Sequence, residues 1–312
     1  MKISVIMSVY NEPLCWLEQS IDSVLNQTIP VFEFIIVNDN PDRVELNDFL
    51  KKYEENYSNI IIIKNIENIG LIGSLNIAII KASGDYIARM DADDISLANR
   101  FELQVKYLNE QNSDLIGSNI NFVDEKGIKF AQSDKVLTHK YILKLLESGT
   151  IAIVHPTFFG KAAVFKNCFY NENAFYAEDM EFLVHASSRG YILGNCPQVL
   201  LNCRYSNSSI TKLKTIQMEN TVQNIKYSFK MFKKTREYAF LVKGNSVSTT
   251  ENSTAILIKE YFSNARSNYS EKKYIKMVYF LTKAFISSPS SFINSFRYRA
   301  LSIYYRFLEK LS

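Results

Sequence analysis

Over its first hundred residues the chain alternates short apolar runs with segments whose apolar residues recur at helical spacing. The apolar runs, which predict strands, are 3–9, 32–37, 60–63 and 86–90. The segments with helical spacing are 14–25, 44–53, 75–82 and 97–109. Strands and helices in alternation are typical of a parallel sheet with helices on both faces. We therefore expect an α/β fold with a Rossmann-like, doubly wound and mostly parallel sheet.

Polar residues directly follow three of these predicted strands. Tyr10 and Asn11 come after the first strand, Asp39 after the second, and the segment 91–94 after the fourth. In an open parallel sheet the carboxyl ends of the strands lie along one edge, and ligands bind there. Each cluster alone is compatible with a strand terminus or a turn. Their convergence predicts a ligand site.

The segment Asp91-Ala92-Asp93-Asp94 carries the most specific chemical signal in the chain. Three carboxylates within four residues repel one another, and a hard divalent cation relieves that repulsion because it prefers oxygen ligands. Such a cation completes its coordination shell with phosphate oxygens, so the arrangement predicts a metal together with a diphosphate. The alternative is a solvated acidic turn that caps the following helix.

A set of segments in a fixed order resembles a known family. The segments are SVIMSVYNEP, FIIVNDN, NIGLIGSLNIAIIKASGDYIARMDADD, LANRFELQ and YAEDMEF. Together they resemble the signature of the inverting family 2 glycosyltransferases, which have the GT-A fold. The resemblance implies transfer of a sugar from a nucleotide donor, usually UDP-linked, with Mn²⁺ or Mg²⁺ as cofactor. It covers residues 1–211, so we expect a GT-A catalytic domain there and a helical C-terminal region at 212–312.

The resemblance implies donor-binding roles for several residues. Tyr10, Asn11 and Asp39 match positions that hold the nucleotide. Arg100 matches a common basic position on the donor side, with an ion pair to a neighbouring carboxylate as the alternative. One position departs from the family pattern. Asn38 stands where the first of two aspartates is usual, which removes one carboxylate and keeps the second.

The resemblance also implies roles on the metal and acceptor sides. Asp91 and Asp93 look like the pair that serves the ribose and the metal-bound diphosphate, and Asp94 shares the metal role. Asp179 looks like the general base that deprotonates the acceptor hydroxyl. Glu178, directly before it, is a candidate for contact with the acceptor.

The acceptor-side residues also have structural interpretations. Glu178 and Asp179 begin a predicted helix, where carboxylates interact favourably with the helix macrodipole. His155 is a further candidate for acceptor contact, but a lone histidine in an apolar run is more often a hydrogen-bonded core residue. Family members often carry Tyr-Arg followed by His near the end of the domain. Here the corresponding segment reads CRYS at 203–206, which departs from that pattern.

Charge separates the two regions of the chain. Residues 1–211 hold 18 Lys and Arg against 26 Asp and Glu, a balance of −8, whereas residues 212–312 hold 18 against 6, a balance of +12. The acidic part has the wrong sign for nucleic acid, and no nucleic-acid recognition motif accompanies the basic part. Basic residues interleaved with Phe and Tyr over 271–312 predict peripheral contact with anionic membrane lipid. The alternative is a helical appendage whose aromatic side chains pack on the catalytic domain.

Taken with the resemblance, these features predict a cytoplasmic enzyme that is peripheral on the cytoplasmic face of the inner membrane. No segment approaches 18 uncharged apolar residues, and the N-terminal apolar run is too short for a signal peptide. The expected reaction moves glucose or galactose from a UDP-sugar in β linkage. The expected acceptor is a lipid-diphosphate-linked GlcNAc or GalNAc, or a growing glycan of O-antigen or capsule. The alternatives are a nucleotidyltransferase and a non-catalytic sugar-nucleotide-binding protein.

Overall fold

The structure, a computed structural model, describes residues 1–205, 215–242, 278–279, 281–283 and 289–311. Its first strands are β1 (Ile3–Val9), β2 (Glu33–Asn38), β3 (Ile60–Lys64) and β4 (Tyr86–Asp91). The helices among them are α1 (Leu14–Leu25), α2 (Val44–Asn56), α3 (Gly70–Lys81) and α4 (Arg100–Glu110). The predicted alternation is confirmed. Helix α3 begins earlier than predicted, because the Asp39 carboxylate accepts hydrogen bonds from backbone N–H groups where the helix starts.

The rest of the chain adds shorter strands and further helices. The strands are β5 (Ile95–Ser96), β6 (Leu115–Val123), β7 (Lys129–Gln132), β8 (Phe159–Lys161) and β9 (Leu193–Arg204). The helices are α5 (His139–Ser148), α6 (Ala162–Cys168), α7 (Glu178–Ser188), α8 (Thr215–Thr235) and α9 (Pro289–Leu311).

The described strands form one sheet in the order β3-β2-β1-β4-β8-β6-β9-β5, with β7 paired to β6. The neighbours from β3 to β4 are parallel, and so are β6 and β9. Strand β8 is antiparallel to both β4 and β6, so β6 and β9 run in the same direction as β4. The sheet is therefore mixed but mostly parallel, which confirms the predicted fold class.

Helices cover both faces of the sheet, which explains the continuous apolar runs in its central strands. Along β1, Val5 and Met7 belong to one buried cluster together with α1, whereas Ile6 belongs to another together with α3. Side chains of a strand point alternately to the two faces. A strand that is buried on both faces therefore carries apolar residues at both odd and even positions.

The described parts of the C-terminal region pack on the α/β domain. Helix α8 buries Ile225 and Phe229 in the same cluster as residues of α7. Helix α9 contacts α5 through Tyr305 and Tyr141, whose ring centroids are 5.8 Å apart. These helices confirm the predicted helical extension, but its boundary at 211 falls outside the described residues and stays a prediction. Among the described residues, none of the helices combines the length and the hydrophobicity that a membrane span requires.

Candidate active site

The register of the sheet brings the ends of its central strands together. Ser8 of β1 pairs with Asp91 of β4, and Val9 pairs with Asn38 of β2. The strands are parallel, so the residues that follow β1, β2 and β4 lie along one edge of the sheet. This edge is where open parallel sheets bind ligands.

Three carboxylates form a compact group at the end of β4, which we call the metal group: Asp91, Asp93 and Asp94. One carboxylate oxygen from each lies within 4.8 Å of the other two. Asp94 is buried, and its Oδ1 accepts a hydrogen bond from the backbone N–H of Arg204 at 2.8 Å. Its Oδ2 is also buried and has no hydrogen-bond partner among the described residues. A buried carboxylate oxygen without a partner is costly, and a cation bound at this point would satisfy it.

The electrostatics of the metal group favour a divalent cation. Burial and the charge of Asp91 raise the pKa of Asp93 to about 7. The same two causes raise the pKa of Asp94 well above its ordinary value. A bound cation would offset this repulsion and keep all three carboxylates ionised. The available ligands are carboxylate oxygens, which fit Mn²⁺ or Mg²⁺.

Two buried arginines fix the metal group in place. Arg89 of β4 forms a bidentate ion pair with Asp91, with its Nη1 2.6 Å from Oδ2. Arg204, at the end of β9, donates from Nε to the main-chain carbonyl of Asp93 at 3.0 Å, and its guanidinium lies 4.8 Å from the ring centroid of Trp16. The carboxylates are therefore held together by the protein itself before any ligand binds.

Asp39 lies at the same edge, buried after β2. Its Oδ1 accepts hydrogen bonds from Asn65 Nδ2 at 2.7 Å and from the backbone N–H of Ile69 at 2.9 Å. Its Oδ2 accepts one from the backbone N–H of Gly70 at 2.9 Å. These bonds satisfy N–H groups at the start of α3 that have no partner within the helix. Contact between Asp39 and the donor nucleotide stays a prediction.

The remaining donor-side candidates differ in accessibility. Tyr10 is 43 % exposed and Asn11 is exposed, so both side chains are accessible to a ligand. Arg100 is fully buried and donates to Gln104 Oε1 at 3.0 Å and to the main-chain carbonyl of Arg89 at 2.8 Å. Burial lowers the pKa of Arg100 to about 9. Its guanidinium supports β4 from the core, and its contact with the donor stays a prediction.

The two carboxylates predicted to serve the acceptor, Glu178 and Asp179, stand at the start of α7. Asp179 Oδ1 accepts a hydrogen bond from the backbone N–H of Met180 at 2.7 Å. Burial raises the pKa of Asp179, while the positive charges of Arg89 and Lys135 act to lower it. Burial and the charge of Asp179 raise the pKa of Glu178 to about 7. A carboxylate whose pKa is raised towards neutrality is suited to accept a proton.

His155 is buried in the short 3₁₀ turn before β8. Its Nε2 lies 2.8 Å from the hydroxyl of Tyr170. Burial, together with the charge of Arg89, lowers the pKa of His155 well below its ordinary value, which favours the neutral imidazole. The same arginine acts electrostatically on Asp91 and on Asp179. The charge of one buried guanidinium therefore acts on the candidates of both the metal side and the acceptor side.

Comparison with known proteins identifies the family. Residues 4–169 match the family described as Glycosyl transferase family 2. The chain belongs to this family. MJ1057 of Methanocaldococcus jannaschii, an uncharacterized glycosyltransferase, is 37% identical over 208 residues, which cover 66% of this chain and 71% of that protein. The O-antigen biosynthesis glycosyltransferase WbnJ of Escherichia coli is 35% identical over 219 residues, which cover 67% of this chain and 82% of WbnJ.

Solved structures of S. aureus TarS have the same fold as this glycosyltransferase. The TarS complex with UDP-GlcNAc has a TM-score of 0.58 at 17% identity and covers 99% of this chain and 91% of that one. The TarS complex with UDP has a TM-score of 0.57 at 19% identity. The predicted GT-A fold is thereby confirmed. Membership of this family makes the chain a glycosyltransferase, so the nucleotidyltransferase alternative is set aside.

The site of the glycosyltransferase also contains residues to which the sequence patterns gave no role. Arg89 and Arg204 hold the metal group. Glu12, which follows β1, is a third such residue: burial raises its pKa, and the negative charge of Asp91 raises it further. One signal was available for Arg89, since a charged residue inside an otherwise apolar strand needs a buried partner. The partner two positions later, Asp91, meets that need because residues i and i+2 of a strand share one face.

Proposed function

We propose that this glycosyltransferase moves a hexose, glucose or galactose, from a UDP-sugar in a metal-dependent reaction that inverts C1. The observation that carries the proposal is the metal group, with its unpartnered Asp94 Oδ2 and with Asp91 bound by the buried Arg89, whose charge also acts on Asp179. The UDP and UDP-GlcNAc complexes of TarS support a UDP-linked donor. The O-antigen role in the name of WbnJ supports a pathway of surface-polysaccharide assembly.

On the donor side, the residues divide into metal ligands and nucleotide contacts. Asp91, Asp93 and Asp94 would hold Mn²⁺ or Mg²⁺, which supplies neutralising charge to the leaving diphosphate when bound. Tyr10 and Asn11, accessible at the end of β1, bind the nucleotide. Good leaving-group character removes the need for a strong general acid.

On the acceptor side, Asp179 acts as the base. Its carboxylate accepts the proton of the acceptor hydroxyl while that oxygen attacks C1 from the face opposite UDP. A new C1–O bond forms as the bond from C1 to the phosphate oxygen breaks, and UDP leaves with the bonding electron pair. A single displacement of this kind inverts C1, so an α-linked donor gives a β-linked product. Glu178 directly precedes this base, and we assign contact with the acceptor to Glu178 and His155.

A donor panel with product analysis tests this proposal. The purified protein is incubated with Mn²⁺ and each of several UDP-sugars, with GDP-sugars of the same hexoses as the control, and nucleotide release is measured without an acceptor. We expect release from UDP-glucose or UDP-galactose only. With a GlcNAc-diphosphate-lipid acceptor, the coupling constant of the anomeric proton should report a β linkage. An α-linked product, or equal use of GDP-sugars, would contradict the proposal.

The proposed acceptor is lipid-linked, and α9 provides a surface for contact with a membrane. Four large apolar side chains of this helix are between 53 % and 72 % exposed: Ile303, Tyr304, Phe307 and Leu311. Positions 303, 307 and 311 are four residues apart and position 304 is three before 307, which places all four on one face of the helix, while Tyr305 and Leu308 face the core. The balance of +12 over residues 212–312 favours anionic lipid on the cytoplasmic face of the inner membrane as the surface that covers this stripe.

Vesicle sedimentation tests the membrane contact. The intact protein should sediment with anionic vesicles at low salt and be released at high salt, because each basic residue at the surface adds about 1 kcal/mol and salt screens it. Phe307→Glu should reduce the bound fraction several-fold. Ile66→Glu, which changes an apolar residue that is 99 % exposed on another part of the surface, serves as the control. Equal binding of Phe307→Glu and wild type would show that the stripe does not meet lipid.

A further inference from the structure

An aromatic pair, Phe175 and Tyr176, stands shortly before the proposed base in the chain. Phe175 is 58 % exposed, more than any other aromatic side chain in residues 1–205. Its ring centroid lies 6.5 Å from that of Tyr176. Single exposed apolar side chains are common on protein surfaces, so the exposure alone indicates no function. What the ring can contact depends on the loop that carries it.

The backbone fixes the direction in which the pair points. The N–H of Ala177 donates to the carbonyl of Ala174 at 3.1 Å, which closes a turn with Phe175 and Tyr176 at its two central positions. Tyr176 has a φ of +65°, in the left-handed region where a turn usually has glycine or asparagine because a Cβ is disfavoured. Ala174 and Ala177 are buried. The turn therefore packs both its ends on the domain, and its strained centre presents Phe175 to solvent.

This turn leads directly into the first turn of α7, which carries the proposed base. Ala177 is the N-cap residue of α7, and its carbonyl accepts a hydrogen bond from the N–H of Glu181 at 3.0 Å. Glu178 and Asp179 follow it, and both are partly exposed. Asp179 comes four positions after Phe175, so the two Cα atoms lie at most about 15 Å apart, and the turn shortens this distance. The exposed ring therefore lies at the same end of α7 as the proposed base, within the length of a short saccharide.

The other end of the same loop, residues 170–177, contacts a second candidate for acceptor binding. The hydroxyl of Tyr170 lies 2.8 Å from His155 Nε2. The backbone of Tyr170 is held by the Asn76 side chain of α3, which accepts from its N–H at 2.8 Å and donates to its carbonyl at 2.9 Å. Its ring stacks on that of Phe182 of α7, with centroids 4.8 Å apart. The loop is therefore fixed at both ends, and a residue predicted to serve the acceptor stands at each end.

We propose that Phe175 binds the acceptor by stacking its ring on the apolar face of the acceptor pyranose. The inference rests on the proposed role of Asp179 as the base, because the acceptor must present a hydroxyl to that carboxylate and so places its sugar ring beside the loop. The C–H groups on one face of a pyranose carry partial positive charge, and the face of an aromatic ring is its negative side. A ring that the backbone already holds in place loses little conformational freedom when the sugar binds.

Acceptor kinetics of the intact chain test the proposal. The sugar diphosphate that wild type uses, GlcNAc or GalNAc, is prepared once with a short alkyl chain and once with a long lipid chain. Phe175→Ala should raise the KM for both acceptors roughly tenfold, with kcat within about twofold, because stacking contributes to binding and not to the chemical step. Phe175→Leu keeps the apolar bulk without the ring face and should resemble Phe175→Ala. Phe175→Tyr keeps the ring and should restore the wild-type KM.

Tryptophan fluorescence gives a readout that does not depend on turnover. The chain contains one tryptophan, Trp16, so Phe175→Trp combined with Asp179→Asn adds a reporter at the turn. With UDP and Mn²⁺ present, the short-chain acceptor should shift the emission to shorter wavelength until it saturates, because the sugar excludes water from the indole. Phe32, 41 % exposed, directly precedes β2 at the amino end of the parallel strands, opposite the site. Phe32→Trp and Phe32→Ala are the matched controls and should show neither the acceptor-dependent shift nor the rise in KM.

Each outcome supports or overturns the proposal. An unchanged acceptor KM in Phe175→Ala would overturn it, and so would a rise confined to the long-chain acceptor, which would assign the ring to lipid. A weaker UDP affinity or a lower melting temperature in parallel with the rise in KM would show a structural role instead. If Phe175→Ala does not fold, Phe175→Leu and the fluorescence titration decide in the same way. Wild-type turnover without any effect at Phe175 refutes this inference alone, whereas a wild type that transfers to neither sugar refutes the proposed acceptor with it.

Discussion

The three carboxylates of the metal group differ in how the protein holds them. Asp91 is bound by the guanidinium of Arg89, and Asp94 is buried and bound by the N–H of Arg204. Asp93 is only partly buried, and its contact with Arg204 is through the main-chain carbonyl, which any residue provides. Asp93 is therefore the position where a proposed metal ligand can be removed with the least damage to the fold.

Asp93→Ala should lower turnover about a hundredfold or more, because a metal that stabilises the leaving diphosphate is worth several kcal/mol. It should also weaken the Mn²⁺-dependent binding of UDP, measured by isothermal titration calorimetry. Asp48→Ala, at an exposed carboxylate of α2, is the control and should change neither quantity. Unchanged Mn²⁺-dependent UDP affinity in Asp93→Ala would remove this residue from the metal site.

Asp179→Asn keeps the shape of the side chain and the hydrogen bond from the Met180 N–H, but the amide cannot accept a proton. Turnover should fall by roughly two to four orders of magnitude. The UDP dissociation constant should stay close to the wild-type value, because the role proposed for Asp179 is towards the acceptor and not the donor. Rates with a saturating acceptor and calorimetry with UDP measure the two quantities separately. A variant that retains most of its turnover would place the base at Glu178 or Glu181.

Glu181 gives a prediction for stability. It is buried on α7, its Oε1 accepts from the Tyr238 hydroxyl at 3.0 Å, and burial raises its pKa from 4.5 to about 7. The folded state therefore holds this proton more tightly than the unfolded state. The resulting stabilisation is present below pH 4.5 and is lost as the pH rises through about 7.

The variant Glu181→Gln cannot titrate, so its unfolding free energy should depend less on pH. Between pH 5 and pH 8, the loss of stability should be smaller than in wild type by up to about 3 kcal/mol, as measured by urea denaturation at both pH values. Glu172→Gln, at an exposed carboxylate before α7, is the control. If the unfolding free energies of Glu181→Gln and wild type depend on pH in the same way, the pKa of Glu181 is not raised by folding.

Single residues at strand ends could be predicted from sequence, but their buried partners could not. Asp91 and Asp39 follow apolar runs, so the positions of the carboxyl ends follow once the strands are recognised. Arg204 lies far along the chain from Asp93, and its contact depends on β9 being placed at the far side of the sheet. No local pattern carries that information, because the partner strand is chosen by packing of the whole domain.

At the scale of elements, the parallel half of the sheet was predictable because its strands are buried on both faces. The antiparallel strands β5 and β8 could not be predicted, because two or three residues are too few to show the alternation of apolar and polar side chains that marks a strand. The start of α3 was also missed. It is set by the Asp39 carboxylate, which precedes the helix by many residues and comes from a different strand end.

The chain just before β4 passes close to the start of β1, and this close approach gives a prediction at the scale of elements. A Cβ at Gly84 would lie 2.6 Å from Ser4 Oγ and 2.8 Å from the main-chain carbonyl of Lys2. Gly84→Ala must therefore push the two strands apart and should reduce the free energy of unfolding by about 1–3 kcal/mol, measured by urea denaturation. Lys81→Ala, at the exposed end of α3, should change it by less than about 0.5 kcal/mol. A stable Gly84→Ala variant would show that this junction is loosely packed.

At the scale of the whole molecule, composition predicted a helical, basic C-terminal region but not how it docks. Two interpretations of that region were open, membrane contact and packing on the catalytic domain. In the described residues, one helix can do both. Helix α9 packs Tyr305 and Leu308 inward and leaves Phe307 exposed. A charge count cannot separate the two faces of one helix, because the separation depends on which residues meet α5.

The metal requirement of donor cleavage tests the central claim most directly. Release of UDP from the preferred UDP-sugar is measured for metal-free wild-type protein, after addition of Mn²⁺, and after addition of excess EDTA, with Asp93→Ala alongside. Because the carboxylates of the metal group repel a diphosphate unless a cation lies between them, we predict release only with metal and only in wild type. Undiminished release in excess EDTA, or from Asp93→Ala, would contradict the account.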